Sequence, residues 1–293
     1  DSQMAELVNA NDNWFIQPKQ VDLKEDDFSD YVNFPAIYLF HISALTEAQK
    51  TNLKRAMENG NKVHVLMSTS KDNDFSNVAG EDLDYLKSCF ENVGAENIRR
   101  WLNYSRTVFD EASLFVNEIT EPKEFPKDVF YRIGSNDYFE ELSEYWNYYK
   151  EADLYKKNAK TICIINSVAG PQDQFRSYQD DMILNLESRG FNVVALSGYS
   201  KRFENLQILN PDMVIYYPHG RLNMSGGNKT VEWLKERNIL LLQPQLVHNT
   251  YEDWMEDQQG MSGGIFGQNV VVPELDGAIQ AYAVAAEYLN DQG

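Results

Sequence analysis

Three apolar runs decide the fold of this chain: TICII at residues 161–165, NVVAL at 192–196 and MVIYY at 213–217. Short continuous runs of this kind, rich in β-branched residues, are typical of strands that are covered on both faces. A segment with helical features follows each of the three runs, and a fourth predicted strand follows the last of these helices. These segments are the helices at 179–188, 203–209 and 230–237 and the strand at 239–243. The alternation predicts parallel strands in one sheet, with the helices as connections.

A sheet of this kind is predicted to be doubly wound, of the flavodoxin or periplasmic-binding type. Ligands in such sheets bind beyond the carboxyl ends of the strands, which places four loops on one rim. The loops cover residues 166–178, 197–202, 218–229 and 243–250. Four side chains on this rim are predicted to contact a substrate: Arg176, Tyr178, His219 and His248. Arginine can pair bidentately with a carboxylate, and histidine can bind a metal or donate a hydrogen bond; a structural role is the alternative for both histidines.

The first part of the chain repeats the alternation over a shorter length. Strands are predicted at 36–42 and 62–67, and helices after Thr46, at 81–93 and at 95–117. Thr46 and Gln49 have the spacing of a capping box, and Gly60 is predicted to end the first of these helices. The pattern predicts a Rossmann-like parallel α/β unit.

Residues 121–128 are the predicted boundary between the two units, because they combine prolines with charged residues. An N-terminal α/β domain is predicted to cover 1–128, and a second α/β domain 129–293. Residues 138–158 carry Tyr and Trp at helical spacing. A stripe of this kind is typical of a buried helix face, and a cofactor platform is the alternative. The predicted fold class is α/β, with two parallel-sheet units joined by a helical, aromatic-rich segment.

Composition excludes several classes of function. The formal net charge is -19, and basic residues form no cluster longer than a dipeptide, so no nucleic-acid partner is expected. No apolar run approaches the roughly 18 residues of a membrane span. The chain has no phosphate-binding glycine loop and no H-E-x-x-H or C-x-x-C motif. Cys89 and Cys163 lack paired spacing and are expected to be buried thiols.

Residues 270–279, VVVPELDGAI, form the most unusual segment of the sequence. Pro273 is predicted to end a strand, and Glu274 and Asp276 would lie on the same side of an extended backbone. Gly277 would permit a sharp turn after them. Two carboxylates placed in this way could exchange protons with a substrate or hold a divalent cation; a turn with solvated acids is the alternative.

Several of these segments resemble one family: the large subunit of aerobic cobaltochelatase, the CobN type, and the H subunit of magnesium chelatase. The family carries a Pro-Glu-x-Asp-Gly motif after a short apolar strand, preceded by a Trp and a Gly-rich stretch. Trp254, Gly260 and residues 273–277 match that arrangement. Upstream matches are Phe175-Arg-Ser-Tyr178, Glu187-Ser-Arg-Gly190, and Gly94-Ala-Glu-Asn97 followed by Trp101-Leu102. The loop 167–173 and residues 280–282 depart from the family pattern, which leaves the substrate open.

The resemblance implies that this chain is the N-terminal part of a much longer subunit, whose chelatase body begins after the 273–277 motif. In the family, the large subunit binds a tetrapyrrole and a divalent metal, while AAA+ ATPase partners hydrolyse ATP. The fragment alone is therefore expected to be inactive. The metal implied is cobalt or magnesium, as in the two named chelatases, or iron. Iron is included because related proteins of anaerobic gut bacteria are associated with haem uptake and iron removal. The implied location is the cytoplasm, or the periplasm or cell envelope for a haem-handling homologue.

In a chelatase, Glu274 and Asp276 would exchange protons with the pyrrole nitrogens, and Glu274 would hold the metal. The alternative function is a small-ligand-binding or sensor module of the periplasmic-binding type, without catalysis. A phosphate-accepting receiver is disfavoured, because such a domain needs acids where the predicted strands end in Asn166-Ser167 and Tyr216-Tyr217-Pro218.

Overall fold

A computed structural model of the chain describes most of the sequence. The described residues are 26–40, 42, 44–68, 75–92, 94–110, 118–134, 138–166, 177–217, 220–223, 226–257, 260 and 263–287. Only the backbone is described for residues 95, 246–250, 252–253, 265 and 280–287. The chain divides into two compact units, Asp1–Phe125 and Pro126–Gly293. The division falls inside the charged, proline-containing segment 121–128.

The first unit contains the predicted parallel strand pair. β1 (Ala36–Leu39) and β2 (Lys62–Val65) run parallel, with Ile37 opposite Val63, and α1 (Glu47–Glu58) connects them. The predicted capping box is present: the Gln49 backbone N–H donates to Thr46 Oγ1 at 3.3 Å, and the Thr46 N–H donates to Gln49 Oε1 at 2.9 Å. The pair satisfies two donors that a helix start leaves free.

Two further helices complete the first unit. α2 (Gly80–Glu91) is followed by α3 (Ala95–Tyr104), and α3 continues in a wider, π-helical turn, Ser105–Phe109. Trp101 of α3 packs edge-on against Tyr38 of β1, with ring centroids 4.7 Å apart. The helix predicted for 95–117 is thus confirmed as far as Phe109, and residues 111–117 lie outside the described ranges.

The second unit is built on a six-stranded sheet with the order β3-β5-β4-β6-β7-β8. Its strands are β3 (Phe130–Tyr131), β4 (Thr161–Asn166), β5 (Asn192–Leu196), β6 (Met213–Tyr217), β7 (Leu240–Thr250) and β8 (Ile279–Glu287). Its main helices are α4 (Leu142–Glu151), α5 (Ser177–Ser188), α6 (Arg202–Leu209) and α7 (Gly227–Arg237). All neighbouring strands run parallel except β3, which pairs antiparallel with β5. The predicted α/β class is confirmed.

Both faces of this sheet are covered, as the continuous apolar runs predict. Alternate residues of β4 separate the two cores: Ile164 packs with Ile183 of α5, while Cys163 packs with Leu206 of α6 on the opposite face. Tyr145 and Tyr149 of α4 belong to the α6 side and are 1% and 0% exposed. The aromatic stripe is therefore a buried helix face, as predicted.

The predicted strand before Pro273 is wrong, because the backbone there is helical. α8 (Tyr251–Glu256) is followed by α9 (Gly263–Phe266), a π-helical turn (Gly267–Val271) and α10 (Val272–Glu274). Proline lacks only the backbone N–H that the first turn of a helix leaves unused, and its fixed φ suits that position. Pro273 thus lies in the first turn of α10 rather than at the end of a strand. None of the helices in the described part of the chain is long and apolar enough to cross a membrane.

Candidate functional site

The central strands of the second unit meet at a topological switch point. After β4 the chain passes through α5 to β5 on one side of β4, and it then returns through α6 to β6 on the other side. Asn166 and Tyr217, the last residues of β4 and β6, are register partners at the carboxyl edge. Doubly wound sheets bind ligands in the crevice that opens at this point.

Four polar side chains lie at this carboxyl edge, and we call the place that they mark the switch-point crevice: Asn166, Tyr178, Gln179 and Tyr217. The Asn166 amide donates to Gln179 Oε1 at 3.1 Å and also to the Tyr178 hydroxyl. The Tyr178 ring packs edge-on against Tyr217, with centroids 5.1 Å apart. Asn166, Gln179 and Tyr217 are at most 2% exposed. The carboxyl edge of β4 and β6 therefore carries amide and phenol groups where most of the strand length is apolar.

Two atoms of these four side chains have unused hydrogen-bonding capacity. Gln179 Nε2 and the Tyr217 hydroxyl are buried and have no hydrogen-bond partner within the described structure. An unsatisfied buried polar group costs about 1–3 kcal/mol, so each such group calls for a ligand, an ordered water or another explanation. Burial also raises the pKa of Tyr217 well above its usual value, so its hydroxyl keeps its proton at neutral pH. Both atoms are thus donors.

A buried ion pair lies where the chain continues beyond β6. Asp276 Oδ1 accepts from Arg221 Nε at 2.8 Å and Nη2 at 2.7 Å, and Oδ2 accepts from the Leu222 backbone N–H at 2.7 Å. The side chains are 1% exposed for Asp276 and 22% for Arg221. A Cβ on Gly227 would lie 1.9 Å from the Arg221 guanidinium carbon. Glycine at the start of α7 therefore makes room for this pair.

The two predicted catalytic carboxylates do not share a side. The two oxygens of Asp276 accept from Arg221 and from the Leu222 backbone N–H, whereas the Glu274 side chain is exposed and makes no hydrogen bond or ion pair within the described residues. The expectation that they face the same way is wrong, since it assumed an extended backbone. No group of three or more His, Cys, Asp or Glu among the residues that the structure describes could hold a metal ion.

Of the predicted substrate contacts, Tyr178 lies in the crevice. Arg176 and His219 are outside the described residues; their chain positions are directly before α5 and two residues after β6. The segment 243–250, predicted as a loop, is part of β7, so His248 lies within a strand and its side chain is not described.

Sequence reasoning did not select Asn166, Gln179 and Tyr217. None of them belongs to a recognisable motif, and uncharged amides carry little signal by themselves. The available signal was positional: Asn166 and Tyr217 are the last residues of two adjacent predicted strands, which in a doubly wound sheet end at the ligand crevice.

Comparisons with known proteins agree with this architecture. An uncharacterised protein of Methanocaldococcus jannaschii is 27% identical over 212 residues, which cover 63% of this chain and 17% of that protein. The catalytic subunit of cobaltochelatase from Mycobacterium tuberculosis superposes with a TM-score of 0.54 at 15% identity, over 100% of this chain and 25% of that one. The structural match shows a common fold. The chain spans a quarter or less of the length of these two proteins.

The family comparison covers the site. The CobN/Magnesium Chelatase family model matches residues 87–293, which include the whole second unit, its switch-point crevice and the 273–277 motif. This match extends over more than two thirds of the chain. The chain therefore belongs to the CobN/magnesium chelatase family.

Proposed function

We propose that this chain binds a tetrapyrrole at the switch-point crevice, as part of a subunit that inserts a divalent metal into the macrocycle or removes one. Membership of the family supports the reaction class. The main support for placing the tetrapyrrole at this crevice is a pair of buried donors at the carboxyl edge without hydrogen-bond partners in the described structure, Gln179 Nε2 and the Tyr217 hydroxyl. Cobalt, magnesium and iron are the candidate metals, and each would be a substrate rather than a resident cofactor.

The chemistry of the crevice suits the edge of a macrocycle. Carbonyl and carboxylate substituents of a tetrapyrrole are acceptors, and the two unused groups are donors. The edge-on pair of Tyr178 and Tyr217 adds apolar ring surface beside them. Arg176 and His219 remain proposed substrate contacts, because their chain positions flank α5 and β6. His248 is also a proposed contact, from the far end of β7.

Glu274 is the proposed acid–base residue and metal contact. Its exposed carboxylate is free to exchange protons with pyrrole nitrogens, two of which lose their protons when a metal is inserted. Asp276, also proposed as catalytic, would act by fixing the turn that carries Glu274, since its own oxygens are occupied. Glu274→Gln in the longer subunit should lower turnover about 100-fold while tetrapyrrole binding persists. Turnover close to the wild-type value would remove Glu274 from the mechanism.

ATP hydrolysis is assigned to separate AAA+ partners. The sequence of this chain has no phosphate-binding glycine loop, so the energy for metal transfer would come from another subunit. The isolated 293-residue chain is accordingly expected to bind a tetrapyrrole without hydrolysing ATP or transferring metal.

A fluorescence titration with protoporphyrin IX tests the proposal. Tyr217→Phe removes a donor that is unsatisfied in the free chain, so this variant should be as stable as the wild type or more stable, yet should bind the porphyrin about 5- to 10-fold more weakly. Tyr155→Phe changes the same group at an exposed position, 42% accessible, and should bind like the wild type. Absence of saturable binding, or equal affinity for wild type and a folded Tyr217→Phe, would contradict the proposal.

A further inference from the structure

Arg202 is a buried cation on the other face of the sheet, near the same rim. It is the first residue of α6, follows β5 by a short loop and is 2% exposed. Its Nε donates to the Gly198 carbonyl at 2.9 Å and its Nη1 to the Leu222 carbonyl at 3.3 Å. The guanidinium therefore bridges the segments that follow β5 and β6.

The charge of Arg202 has no anionic partner within the described structure. No carboxylate oxygen there lies within 4.0 Å of its guanidinium, although a guanidinium remains charged at any physiological pH. Two aromatic rings offset part of the cost of burial: the Tyr199 and Tyr216 centroids lie 4.4 Å and 5.5 Å from the guanidinium carbon. The remaining nitrogen, Nη2, is buried and donates no hydrogen bond within the described residues.

We propose that Arg202 is a binding site for a carboxylate of the ligand, with Nη2 as the donor that the ligand completes. The inference rests on the proposed function for the source of the carboxylate, an acidic side chain at the edge of a tetrapyrrole. Access is from the side of Tyr199, whose ring lies over the guanidinium and is itself 53% exposed. For a carboxylate to reach Nη2, that one side chain must rotate away, while the two carbonyls that accept from Arg202 belong to Gly198 and Leu222.

A purely structural Arg202 would act only as a cross-link between the two loops. That role requires Nε and Nη1 but leaves Nη2 and the net charge unexplained. The two accounts differ in their dependence on ligand charge. Only a carboxylate site distinguishes an acid from its ester.

The test compares protoporphyrin IX with its dimethyl ester in binding titrations. Because a charge-assisted hydrogen bond is lost, Arg202→Gln should weaken binding of the diacid about 10- to 100-fold and leave affinity for the diester unchanged. Arg237→Gln is the control, since Arg237 is an exposed arginine that bonds Asn210 at the opposite edge of the sheet. A folded Arg202→Gln that binds both porphyrins like the wild type, or loses both equally, overturns the inference.

A second measurement covers the case in which Arg202→Gln does not fold. In Tyr199→Ala the guanidinium is uncovered, so phenylglyoxal should modify Arg202, and the diacid but not the diester should protect it. If neither porphyrin binds, the proposed function fails, and protection by sodium propionate decides the Arg202 inference separately. Protection by propionate sustains a carboxylate site; equal modification with and without propionate overturns it.

Discussion

Glu274 and Asp276 stand two positions apart and occupy opposite environments. On a strand they would share a face, but residues i and i+2 of a helical turn are about 200° apart. The helical backbone therefore exposes Glu274 and buries Asp276 against Arg221. The sequence draws attention to both carboxylates, but their environments depend on whether the backbone is extended or helical. The run of valines before Pro273 favours a strand and so gave no sign of the helical turn.

We expect very unequal effects on stability from neutralising the two carboxylates. Asp276→Asn leaves the Arg221 guanidinium without its anion and should lower the free energy of unfolding by about 3 kcal/mol. Glu274→Gln should change it by less than about 0.5 kcal/mol, because the residue is exposed. Urea denaturation of the two variants measures both values. Equal losses would show that the ion pair does not distinguish the two positions.

Replacing Gly227 by alanine tests whether the Arg221–Asp276 ion pair needs the space beside this glycine. Gly227→Ala places a Cβ 1.9 Å from the Arg221 guanidinium carbon, so Arg221 must leave Asp276 and stability should fall by roughly 2–3 kcal/mol. Gly263→Ala is the matched control: it also begins a helix, and its Cβ would meet no atom within 4 Å. The control should be neutral or stabilising, as alanine is the better helix former. Thermal unfolding compares the stability of the two variants. Equal stability of Gly227→Ala and Gly263→Ala would contradict this account.

At the scale of elements, one hydrogen-bonded group ties α5 to its neighbours. Glu187, near the end of α5, accepts from Arg132 Nε at 2.8 Å and Nη2 at 2.6 Å, and from the Tyr149 hydroxyl at 3.0 Å. The Val193 N–H of β5 donates to the same hydroxyl at 3.2 Å. One tyrosine of α4 thus holds the end of α5 and the start of β5.

Tyr149→Phe should therefore destabilise the second unit. The change removes a donor from Glu187 and an acceptor from Val193 in a buried site, for an expected loss of about 2 kcal/mol. Tyr155→Phe, in the same region but with an exposed ring, should cost less than about 0.5 kcal/mol. Chemical denaturation followed by tryptophan fluorescence compares the two. A loss below 0.5 kcal/mol for Tyr149→Phe would mean that water replaces the hydroxyl.

The helices and strands that bury the most apolar surface are those whose bounds the sequence predicts best. β5 and β6 lie within continuous buried runs, and their predicted bounds, 192–196 and 213–217, are those of the structure. β3 has two residues, too few for any periodic signal, and it joins the sheet through its pairing with β5. The 263–274 helical segment begins with two glycines and contains a run of valines, so local propensity argues against the helix that forms there.

At the scale of the whole molecule, the two units have separate cores, each with one buried thiol. Cys89 is 2% exposed in the first unit and Cys163 is 0% exposed in the second. Burial raises the pKa of Cys89 to about 11 and that of Cys163 further. The thiolate is the reactive form, so neither should react with a disulfide reagent at pH 8 in the native chain.

Increasing urea should expose these thiols in two steps, one for each unit, because Cys89 and Cys163 lie in separate hydrophobic cores. Cys89→Ser and Cys163→Ser variants assign the steps. Simultaneous labelling of both thiols at every urea concentration would show a single cooperative unit instead.

The location of the candidate site follows from the strand alternation in the sequence, although the chemistry of that site does not. Strand alternation alone places a ligand crevice at the carboxyl ends of β4 and β6, and Tyr178 was predicted there. The unused donors of Gln179 and Tyr217, and the isolated charge of Arg202, depend on which atoms find partners after folding. No pattern of residue types reports that.

Paramagnetic broadening by manganese protoporphyrin tests the central claim most directly. β4 and β6 each have one end at the crevice and one about 13–17 Å away, and broadening falls steeply with distance. Bound macrocycle should broaden the amide signals of Asn166 and Tyr217 and leave those of Thr161 and Met213, at the amino ends of the same strands, sharp. Equal broadening at both ends, or broadening confined to Thr161 and Met213, would contradict a tetrapyrrole site at the switch point.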